Sequence, residues 1–556
     1  MKHILPQNLK RILLLFTALL LCCTMLLLSS CTLLTQTLIP LLSGRDGYYT
    51  EYGISASIEE EYDEECETLA GERLSQLKNY LKKNDSADCE AFLQCYIDFE
   101  QYIYSIMNHG TLLYVAFCKD PNNQESFEEY DRLNKLSVDL VAEINQLYDD
   151  IYGSVFSSAF YENWSQEDID DALRQSALYT DEFVEITNER DEYVLLYQQL
   201  NQDDRSFMMQ SAEYYEQIVS QNRKLAQLAG ADSYPIYADD EVYGRDYSQE
   251  DVERFYVYVE EYMMPLCDVL SQKISSSNVL TLQAEISRLL EYDCSFSLMN
   301  ERLEPYTAVL GSDFENAFSS FKEHVYTAES TTSSRVAFTA YLETQSTPIC
   351  YFGPDYQSIS TYVHELGHFN AYYFSKQSIS SIDLCETQSQ SNEWLYLAYI
   401  EDQYKASTYD ALTSYYLLNQ LITLSLATCC DYFERQVYAT PSCGAEDYDE
   451  LFIECTKELG AYDFLYEYLG NDLKGYWHYA VVANSMYYLS YAVSLIPAME
   501  LYLIAREQSF TEATARYLSL CTVEESASFK ETVQHAQLTP PFSKEVFEKI
   551  CQHFSK

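Results

Sequence analysis

The feature that most constrains the fold of this chain is its scarcity of helix-breaking residues. Among 556 residues there are only 15 glycines and 12 prolines, against average usages of roughly 7% and 5%. Apolar and aromatic residues recur three or four positions apart, as in Phe255, Tyr258 and Tyr262. This is the spacing of one face of an α-helix. The sequence therefore predicts a large, mainly α-helical protein.

The helical pattern divides into two regions. Residues 58–202 are predicted to form an N-terminal helical region, and residues 203–556 a second domain. Long helices are expected at Ser206–Leu228 and Gln249–Ile274, because apolar positions repeat along both at helical spacing. Pro265 should kink or break the second of these, since proline cannot donate the helical hydrogen bond.

One stretch departs from the helical pattern. Val336–Tyr341 and Pro348–Phe352 are short, rich in β-branched and aromatic residues, and bounded by turn formers. They are predicted to form two strands. Ser358 or Ser360 is expected to cap the helix that follows.

The N-terminus is typical of an exported protein. A positively charged start precedes an apolar run from Ile12 to Leu28, which is the layout of a signal peptide. The run ends in Leu28-Ser29-Ser30-Cys31, which resembles a bacterial lipobox, whose cysteine carries a diacylglyceryl group after cleavage. We therefore expect residues 1–30 to be a signal peptide and residues 31–57 a tether. The protein would then sit on the cell membrane, facing the extracytoplasmic side. An uncleaved membrane anchor is the alternative.

Charge and cysteine content add two constraints. A net charge of -53, from 87 acidic and 34 basic residues, argues against nucleic acid as a partner, because such proteins need a basic surface. Of the 17 cysteines, 14 follow Cys31. An even number in an exported protein permits disulfides, whereas the adjacent Cys429 and Cys430 are expected to be buried thiols.

The strongest chemical signal is H-E-x-x-H at His364-Glu365-Leu366-Gly367-His368. On a helix, His364 and His368 lie one turn apart on the same face, so both imidazoles can reach one metal ion. Glu365 points slightly around the helix, where its carboxylate can take a proton from water on the metal. The motif predicts a zinc site for hydrolysis. Two core histidines on a buried helix are the alternative.

A catalytic zinc ion needs a third protein ligand and one open position. Downstream, Glu386 and Glu393 lie seven positions apart, so on a helix they face the same way. One of them can bind the metal while the other hydrogen-bonds a ligand imidazole. The residues alone do not say which, and two acids so spaced also occur on solvated helix faces.

Together these segments resemble the thimet oligopeptidase and oligoendopeptidase F family of zinc peptidases. That family carries H-E-x-G-H and then a helix of the form E-x-x-S-x-x-x-E, matched here by Glu386, Ser389 and Glu393. The resemblance implies that Glu386 is the third ligand beside the two motif histidines, and that Glu393 supports them. The reverse assignment is the alternative. The resemblance is specific over residues 348–394 and extends to about Pro497.

The family also has a histidine and tyrosines that donate hydrogen bonds to the substrate carbonyl as it becomes an oxyanion. By the resemblance, His478 and Tyr491 take these catalytic roles, with Tyr487 and Tyr488 as alternatives. The spacing from His478 to the tyrosines is a few residues longer than in the family.

Two further departures from the family pattern are local. Ala371 stands where the oligoendopeptidase F branch usually has a histidine, which is not a ligand. The segment between His368 and Glu386 is shorter than usual. Either it still joins the two helices, or it reshapes one wall of the cleft.

The resemblance implies a two-lobed, mainly helical fold with a deep cleft and a small β-sheet beside the motif helix. Residues 203–556 would be the catalytic domain, and a substrate strand would pair with the edge near Pro348–Phe352. The implied function is a zinc-dependent endopeptidase that hydrolyses oligopeptides outside the cytoplasm, with Glu365 as the general base and Cys31 lipidated. The alternatives are a lipoprotein that binds peptides without cleaving them, and a zinc hydrolase of cell-wall peptide or larger proteins.

Overall fold

The computed structural model describes residues 50–56, 58, 62–162, 164–200, 202, 204–276, 294–524 and 527–555. The predicted signal peptide, Cys31 and most of the predicted tether lie outside the described residues. The described chain is dominated by helices and contains one small sheet. The predicted mainly α fold class is therefore confirmed.

The N-terminal region consists of helices joined by short connections. They are α1 (Glu65–Lys83), α2 (Cys89–Lys119), α3 (Gln124–Asn145), α4 (Tyr148–Tyr152), α5 (Ser157–Phe160), α6 (Gln166–Leu178) and α7 (Asp181–Gln198), with a 3-10 turn at Ser86–Asp88. Several begin with a side chain that accepts a hydrogen bond from the first turn: Ser165 and Thr180 cap α6 and α7 in this way, as their types favour.

The next helices lead to the sheet. They are α8 (Phe207–Leu228), α9 (Tyr234–Tyr237), α10 (Gln249–Tyr258), α11 (Met264–Ser276), α12 (Phe296–Leu310) and α13 (Ser312–Glu323), with π-helical turns at Ala238–Val242 and Val259–Met263. The helix predicted over Ser206–Leu228 is confirmed. The helix predicted over Gln249–Ile274 runs without a break as α10, the π-helical turn and α11, and Pro265 lies just after that turn.

The remaining helices follow the sheet. They are α14 (Ile359–Ser375), α15 (Ile382–Tyr399), α16 (Ala406–Ala439), α17 (Tyr448–Glu458), α18 (Tyr462–Leu469), α19 (Trp477–Ala480), α20 (Leu489–Glu507), α21 (Phe510–Cys521), α22 (Phe529–His535) and α23 (Lys544–Phe554), with 3-10 turns at Glu401–Gln403 and Gly470–Gly475. Among the described helices, α20 is long and apolar enough to cross a membrane, but 89% of its apolar stretch is buried inside the protein. It is a central core helix, packed on both α15 and α16.

The sheet has three strands in the order β1 (Val325–Thr327), β3 (Thr347–Phe352), β2 (Ala337–Leu342). β3 pairs in parallel with β1 and antiparallel with β2, with Thr339 opposite Cys350. Both predicted strands exist and begin one residue away from their predicted starts, whereas β1 was not predicted. The predicted substrate edge at Pro348–Phe352 is wrong, because β3 is the middle strand: β2 pairs along all of it on one side, and β1 pairs along Cys350–Phe352 on the other.

The two outer edges of the sheet differ. On β1, the Thr327 N–H donates to Ile54 O at 3.0 Å, and just beyond it the Gly53 N–H donates to Ala328 O at 2.9 Å. Residues 53 and 54, within the predicted tether, thus continue the sheet. Among the described residues, no strand pairs with the outer edge of β2.

The core is continuous. One hydrophobic cluster includes buried residues from Cys66 to Ile550. It therefore contains residues of both predicted regions, 58–202 and 203–556. A smaller cluster lies around Phe338 and Tyr351 of the sheet and Tyr114 of α2. All 14 cysteines of the described chain are free, and Cys429 and Cys430 are buried thiols in α16, as expected for that pair.

Candidate metal centre

α14 carries the H-E-x-x-H motif and begins directly after the sheet. The Ser358 hydroxyl accepts a hydrogen bond from the Thr361 N–H at 3.2 Å, so of the two predicted caps it is Ser358 that starts the helix. One turn apart on this helix, His364 and His368 point their Nε2 atoms at each other, 3.2 Å apart.

α15 brings the third residue of the cluster. Glu386 Oε2 lies 3.7 Å from His364 Nε2 and 3.9 Å from His368 Nε2. The two helices can approach so closely because residue 367 is glycine: a Cβ there would lie only 2.5 Å from the Cα of Ser389. Ser389 is nearly one turn beyond Glu386 on the face turned to α14.

The three ligand atoms fit a zinc ion. Tetrahedral zinc with bonds of about 2.0–2.2 Å holds its ligand atoms about 3.3–3.6 Å apart. The observed separations of 3.2, 3.7 and 3.9 Å bracket that range. Of the described residues that could hold a metal in this way, His364, His368 and Glu386 are the group that the structure brings together. Three protein ligands leave a fourth position for water or substrate.

Glu393 lies behind the ligands. Its Oε1 accepts a hydrogen bond from His364 Nδ1 at 2.7 Å, and its Oε2 accepts one from the Tyr416 hydroxyl at 2.8 Å. It therefore holds the ring from the side opposite the metal position, a common partner for a ligand histidine. Of the two acids, it is therefore Glu386 that lies beside both Nε2 atoms, and Glu393 that lies behind His364. His368 Nδ1 is buried and has no hydrogen-bond partner among the described residues.

Glu365 lies beside the ligands and toward the sheet. The Thr339 hydroxyl of β2 donates to Glu365 Oε2 at 2.7 Å, which fixes the carboxylate. Burial raises the pKa of Glu365 to about 7, although His364 and the Thr339 hydroxyl oppose this. A carboxyl group with such a pKa can both accept and return a proton near neutral pH.

The cluster holds an excess of negative charge. Glu365, Glu386 and Glu393 are all buried. In the described part of the chain, Glu386 and Glu393 pair with histidines, and neither of them pairs with a lysine or an arginine. Buried carboxylates are costly unless a cation compensates them. A divalent ion among the ligands would supply that charge.

Tyrosines close the cluster from α20 and the segment before it. The Tyr487 hydroxyl donates to Glu386 Oε1 at 2.8 Å, and it lies 3.4 Å from the Tyr491 hydroxyl. The Tyr488 ring packs on both, with centroids 6.3 and 6.0 Å away. Burial raises the pKa of Tyr487 well above its usual value, so its hydroxyl stays protonated and remains a donor. The tyrosine that touches the ligand set is thus Tyr487, with Tyr491 one hydroxyl further away.

The backbone before Tyr487 is held from both sides. Met486 has a left-handed conformation with φ 65°, which a non-glycine residue adopts only where its surroundings enforce it. Its N–H donates to Glu434 Oε2 at 2.8 Å, and its carbonyl accepts from Arg245 Nη2 at 2.9 Å. Arg245 is in turn paired with the buried carboxylate of Asp239 at 2.5 Å. This clamp sets the direction in which Tyr487 leaves the backbone.

His478 lies in a different environment. Its Nδ1 is 2.7 Å from the Ser211 hydroxyl, its Nε2 is 3.3 Å from Asp449 Oδ1, and its ring stacks on Trp477 at 3.7 Å. Those partners belong to α8, α17 and α19 rather than to the ligand helices. The structure does not bring His478 into contact with His364, His368 or Glu386.

Sequence reasoning missed Thr339 and Tyr416, which contact Glu365 and Glu393, and the Met486 clamp, which positions Tyr487. A threonine on a strand and a tyrosine among 53 carry no signal of their own. The only usable hint for Thr339 was its place on a strand predicted beside the motif helix.

Comparison with known proteins identifies the fold. No protein-family model matches the sequence, and no curated protein matches it. Among solved structures, PZ peptidase A in complex with an inhibitor has a TM-score of 0.72 at 17% identity, covering 90% of this chain and 97% of that one. A Bacillus anthracis protein provisionally assigned as oligoendopeptidase F has a TM-score of 0.69 at 17% identity, covering 90% and 98%. Oligoendopeptidase F from Enterococcus faecium has a TM-score of 0.56 at 14% identity, covering 88% and 96%. This chain has the fold of those peptidases over nearly its whole described length.

Proposed function

We propose that this protein is a zinc-dependent endopeptidase that hydrolyses oligopeptides on the outer side of the cell membrane. The observation that carries the proposal is the convergence of His364, His368 and Glu386 at zinc-like separations, with Glu365 directly beside them. The likeness in fold to known peptidases supports it.

The chain's own residues account for the proton transfers of such a reaction. A zinc ion, when bound by the three ligands, would polarise the scissile carbonyl and activate water. Glu365 takes the proton of the attacking water and passes it to the leaving amine. The Tyr487 hydroxyl already donates to Glu386, so Tyr491, whose hydroxyl lies 3.4 Å from that of Tyr487, is proposed to donate to the oxyanion that develops on the carbonyl.

The substrate backbone is proposed to lie along β2 rather than β3. The outer edge of β1 already pairs with residues 53 and 54, which leaves β2. Thr339 of β2 also contacts Glu365, so a peptide strand added to this edge would run past the general base. Main-chain pairing of this kind gives affinity with little dependence on sequence.

Membrane attachment is proposed through a lipid on Cys31. The support is the charged start, the apolar run to Leu28 and the Leu28-Ser29-Ser30-Cys31 string. In cells, Cys31→Ser should abolish incorporation of labelled fatty acid into the protein. Incorporation that persists in this variant would contradict the proposal.

The function is tested with purified protein and a mixed peptide library followed by mass spectrometry. We expect cleavage that a chelator abolishes and zinc restores. Glu365→Gln should keep zinc but lose nearly all cleavage, because the ligands remain and the proton acceptor is gone. Glu323→Gln, an exposed acid on α13, is the matched control and should behave as wild type.

The same experiment separates the alternatives. Binding of peptides without cleavage would favour the non-catalytic lipoprotein, and cleavage confined to cell-wall peptide or folded proteins would favour the other hydrolase. Undiminished activity of Glu365→Gln would remove Glu365 from its proposed role.

A further inference from the structure

The buried acids of the metal centre are held in place by hydroxyl groups. Glu386 and Glu393 each accept a hydrogen bond from a tyrosine hydroxyl. Glu365 accepts one from the hydroxyl of Thr339 on β2, which donates to its Oε2 at 2.7 Å. Both residues of this pair are buried, with Thr339 5% exposed and Glu365 3% exposed. Within the described ranges, no other side chain donates to the Glu365 carboxylate.

The Thr339 hydroxyl has one proton and three close neighbours. Its Oγ1 lies 2.7 Å from Glu365 Oε2, 3.2 Å from the Glu365 carbonyl oxygen and 3.2 Å from Cys350 Sγ. The carboxylate oxygen is the nearest of these, and hydrogen bonds to charged acceptors are the strongest, so the proton points to Oε2. Burial raises the pKa of Cys350 well above its usual value, so the thiol stays protonated and can donate to Thr339 Oγ1. The hydroxyl is thus held by an acceptor on one side and by a donor on the other.

The strand pairing explains why Thr339 and Cys350 are so close. The Cys350 N–H donates to His324 O at 2.9 Å, on the β1 side of β3. Thr339 and Cys350, which lie opposite each other, are therefore a non-hydrogen-bonded pair of the antiparallel ladder, in which opposite side chains lie closest. It follows that the N–H and C=O of Thr339 point to the outer edge of β2, while its side chain points to α14.

This arrangement makes the two carboxylate oxygens of Glu365 unequal. Oε2 accepts the proton of Thr339, whereas Oε1 has no donor in the part of the chain that the structure describes. The last torsion of a glutamate side chain is broad, so without a partner the carboxylate can rotate and exchange its two oxygens. The hydrogen bond from Thr339 prevents this exchange, and it leaves Oε1 as the oxygen that can accept a further proton.

We propose that Thr339 is the positioning residue of the general base. Its hydroxyl holds Glu365 Oε2, so that Oε1 is turned to the attacking water. Oε1 takes one proton from the water as the water oxygen bonds to the scissile carbonyl carbon, and it passes that proton to the nitrogen of the leaving amine. The proton of Thr339 stays on Thr339 throughout. The inference rests on the proposed peptidase function and adds to it the residue that orients the base.

The test compares Thr339→Val, which keeps the shape and loses the hydroxyl, with Thr339→Ser, which keeps the hydroxyl. Valine favours strands, so the first variant should fold. Cleavage of a peptide that the wild type hydrolyses is measured with zinc-loaded protein. In Thr339→Val we expect kcat to fall about 10- to 100-fold. KM should stay within about twofold, because the main chain that faces the outer edge of β2 is unchanged. Thr339→Ser should keep kcat within about threefold of wild type.

Thr327→Val is the matched control. Thr327 is a fully buried threonine of the same sheet, and its hydroxyl accepts a hydrogen bond from the Ile54 N–H at 2.9 Å rather than contacting Glu365. This variant should keep the kcat of wild type. Zinc affinity, measured by chelator competition, should be unchanged in all three variants, because the side-chain partners of Thr339 are Glu365 and Cys350 and not the three ligands.

Crystal structures of the metal-free variants provide a measurement that does not depend on activity. The Glu365 carboxylate should keep its wild-type orientation in Thr339→Ser and should be rotated in Thr339→Val. An unchanged orientation in Thr339→Val would contradict the positioning role.

The role would also be overturned by a kcat of Thr339→Val within about threefold of wild type, or by a Thr339→Ser variant as slow as Thr339→Val. A loss of zinc affinity that accounts for the loss of activity would have the same consequence. If the wild type cleaves peptides and one of these results is obtained, only the role of Thr339 fails. If the wild type shows no cleavage that a chelator abolishes, the proposed function fails, whatever the orientation of the carboxylate in the crystals.

Discussion

Gly367→Ala should separate the two helices that hold the metal ligands. The new Cβ would lie 2.5 Å from the Cα of Ser389 and 3.1 Å from Asn392 Cβ, whereas carbon atoms in contact need about 3.5–4.0 Å. The helices must therefore move apart by about 1 Å. Overpacking of this size costs about 1–3 kcal/mol, against which alanine returns about 0.5–1 kcal/mol of helix stability. We expect a net loss of about 1–2 kcal/mol of unfolding free energy.

The effect on the metal should be larger than the effect on stability. Ser389 is nearly one turn from Glu386, so a shift at the crossing point moves the Glu386 carboxylate away from both imidazoles. We expect zinc affinity, measured by competition with a chromophoric chelator, to fall about 10- to 100-fold, as when groups that support a ligand are lost.

The control for Gly367→Ala is Gly71→Ala in α1, where nothing lies within 4 Å of the added Cβ. It should leave zinc affinity unchanged and raise the denaturation midpoint slightly. If Gly367→Ala binds zinc within twofold of wild type, then the close helix crossing does not set the ligand geometry and the reasoning is wrong.

Three further substitutions test the groups around the ligands. Glu393→Gln should lower zinc affinity about 10- to 100-fold, because His364 loses its carboxylate partner. Chelator competition measures the affinity, and an unchanged value would contradict this prediction. Tyr487→Phe removes a hydrogen bond to the Glu386 carboxylate worth about 1.5–3 kcal/mol, so zinc affinity should fall about tenfold or more; an unchanged value would mean that the hydroxyl does not support the ligand. Arg245→Met leaves buried carboxylates less compensated and should cost about 3–5 kcal/mol in chemical denaturation. The matched Arg254→Met, at a half-exposed arginine, should cost less than about 1 kcal/mol, and equal losses would refute the buried network's role.

The parts of this protein that the sequence could predict are those whose information is local. Helices follow from apolar spacing and few breakers, and a serine cap at Ser358 or Ser360 follows from residue type, whereas only the structure selects Ser358. His364 and His368 are four residues apart on one helix, so their convergence needs only helical geometry. Glu386 followed from the spacing of a recognised family pattern rather than from any local rule.

The remainder depends on contacts between segments far apart in sequence. Thr339 meets Glu365 only because β2 packs beneath α14. The contact of Tyr487 with Glu386 depends on the left-handed backbone of Met486, which Arg245 and other buried groups hold from distant elements. The spacing of residues along the sequence does not predict such contacts between distant segments. For the same reason the spacing from His478 to the tyrosines could not reveal that its imidazole packs against α8.

The short segment between the ligand helices illustrates how a sequence departure can leave a site intact. α14 ends at Ser375, Lys376 turns the chain with φ 56°, and α15 begins at Ile382. Such a connection is ordinary for neighbouring antiparallel helices. The helices are already in contact at Gly367, so a longer link is not needed to bring Glu386 to the histidines. The end of α14 and the connection both contact the end of α21 and the residues after it: the Ser375 hydroxyl donates to Cys521 O at 3.1 Å, and Gln377 Nε2 donates to Val523 O at 3.4 Å. The connection begins about two turns along α14 from His368, so a shorter connection changes the protein near α21. The positions of the metal ligands are set instead by the close contact between α14 and α15 at Gly367.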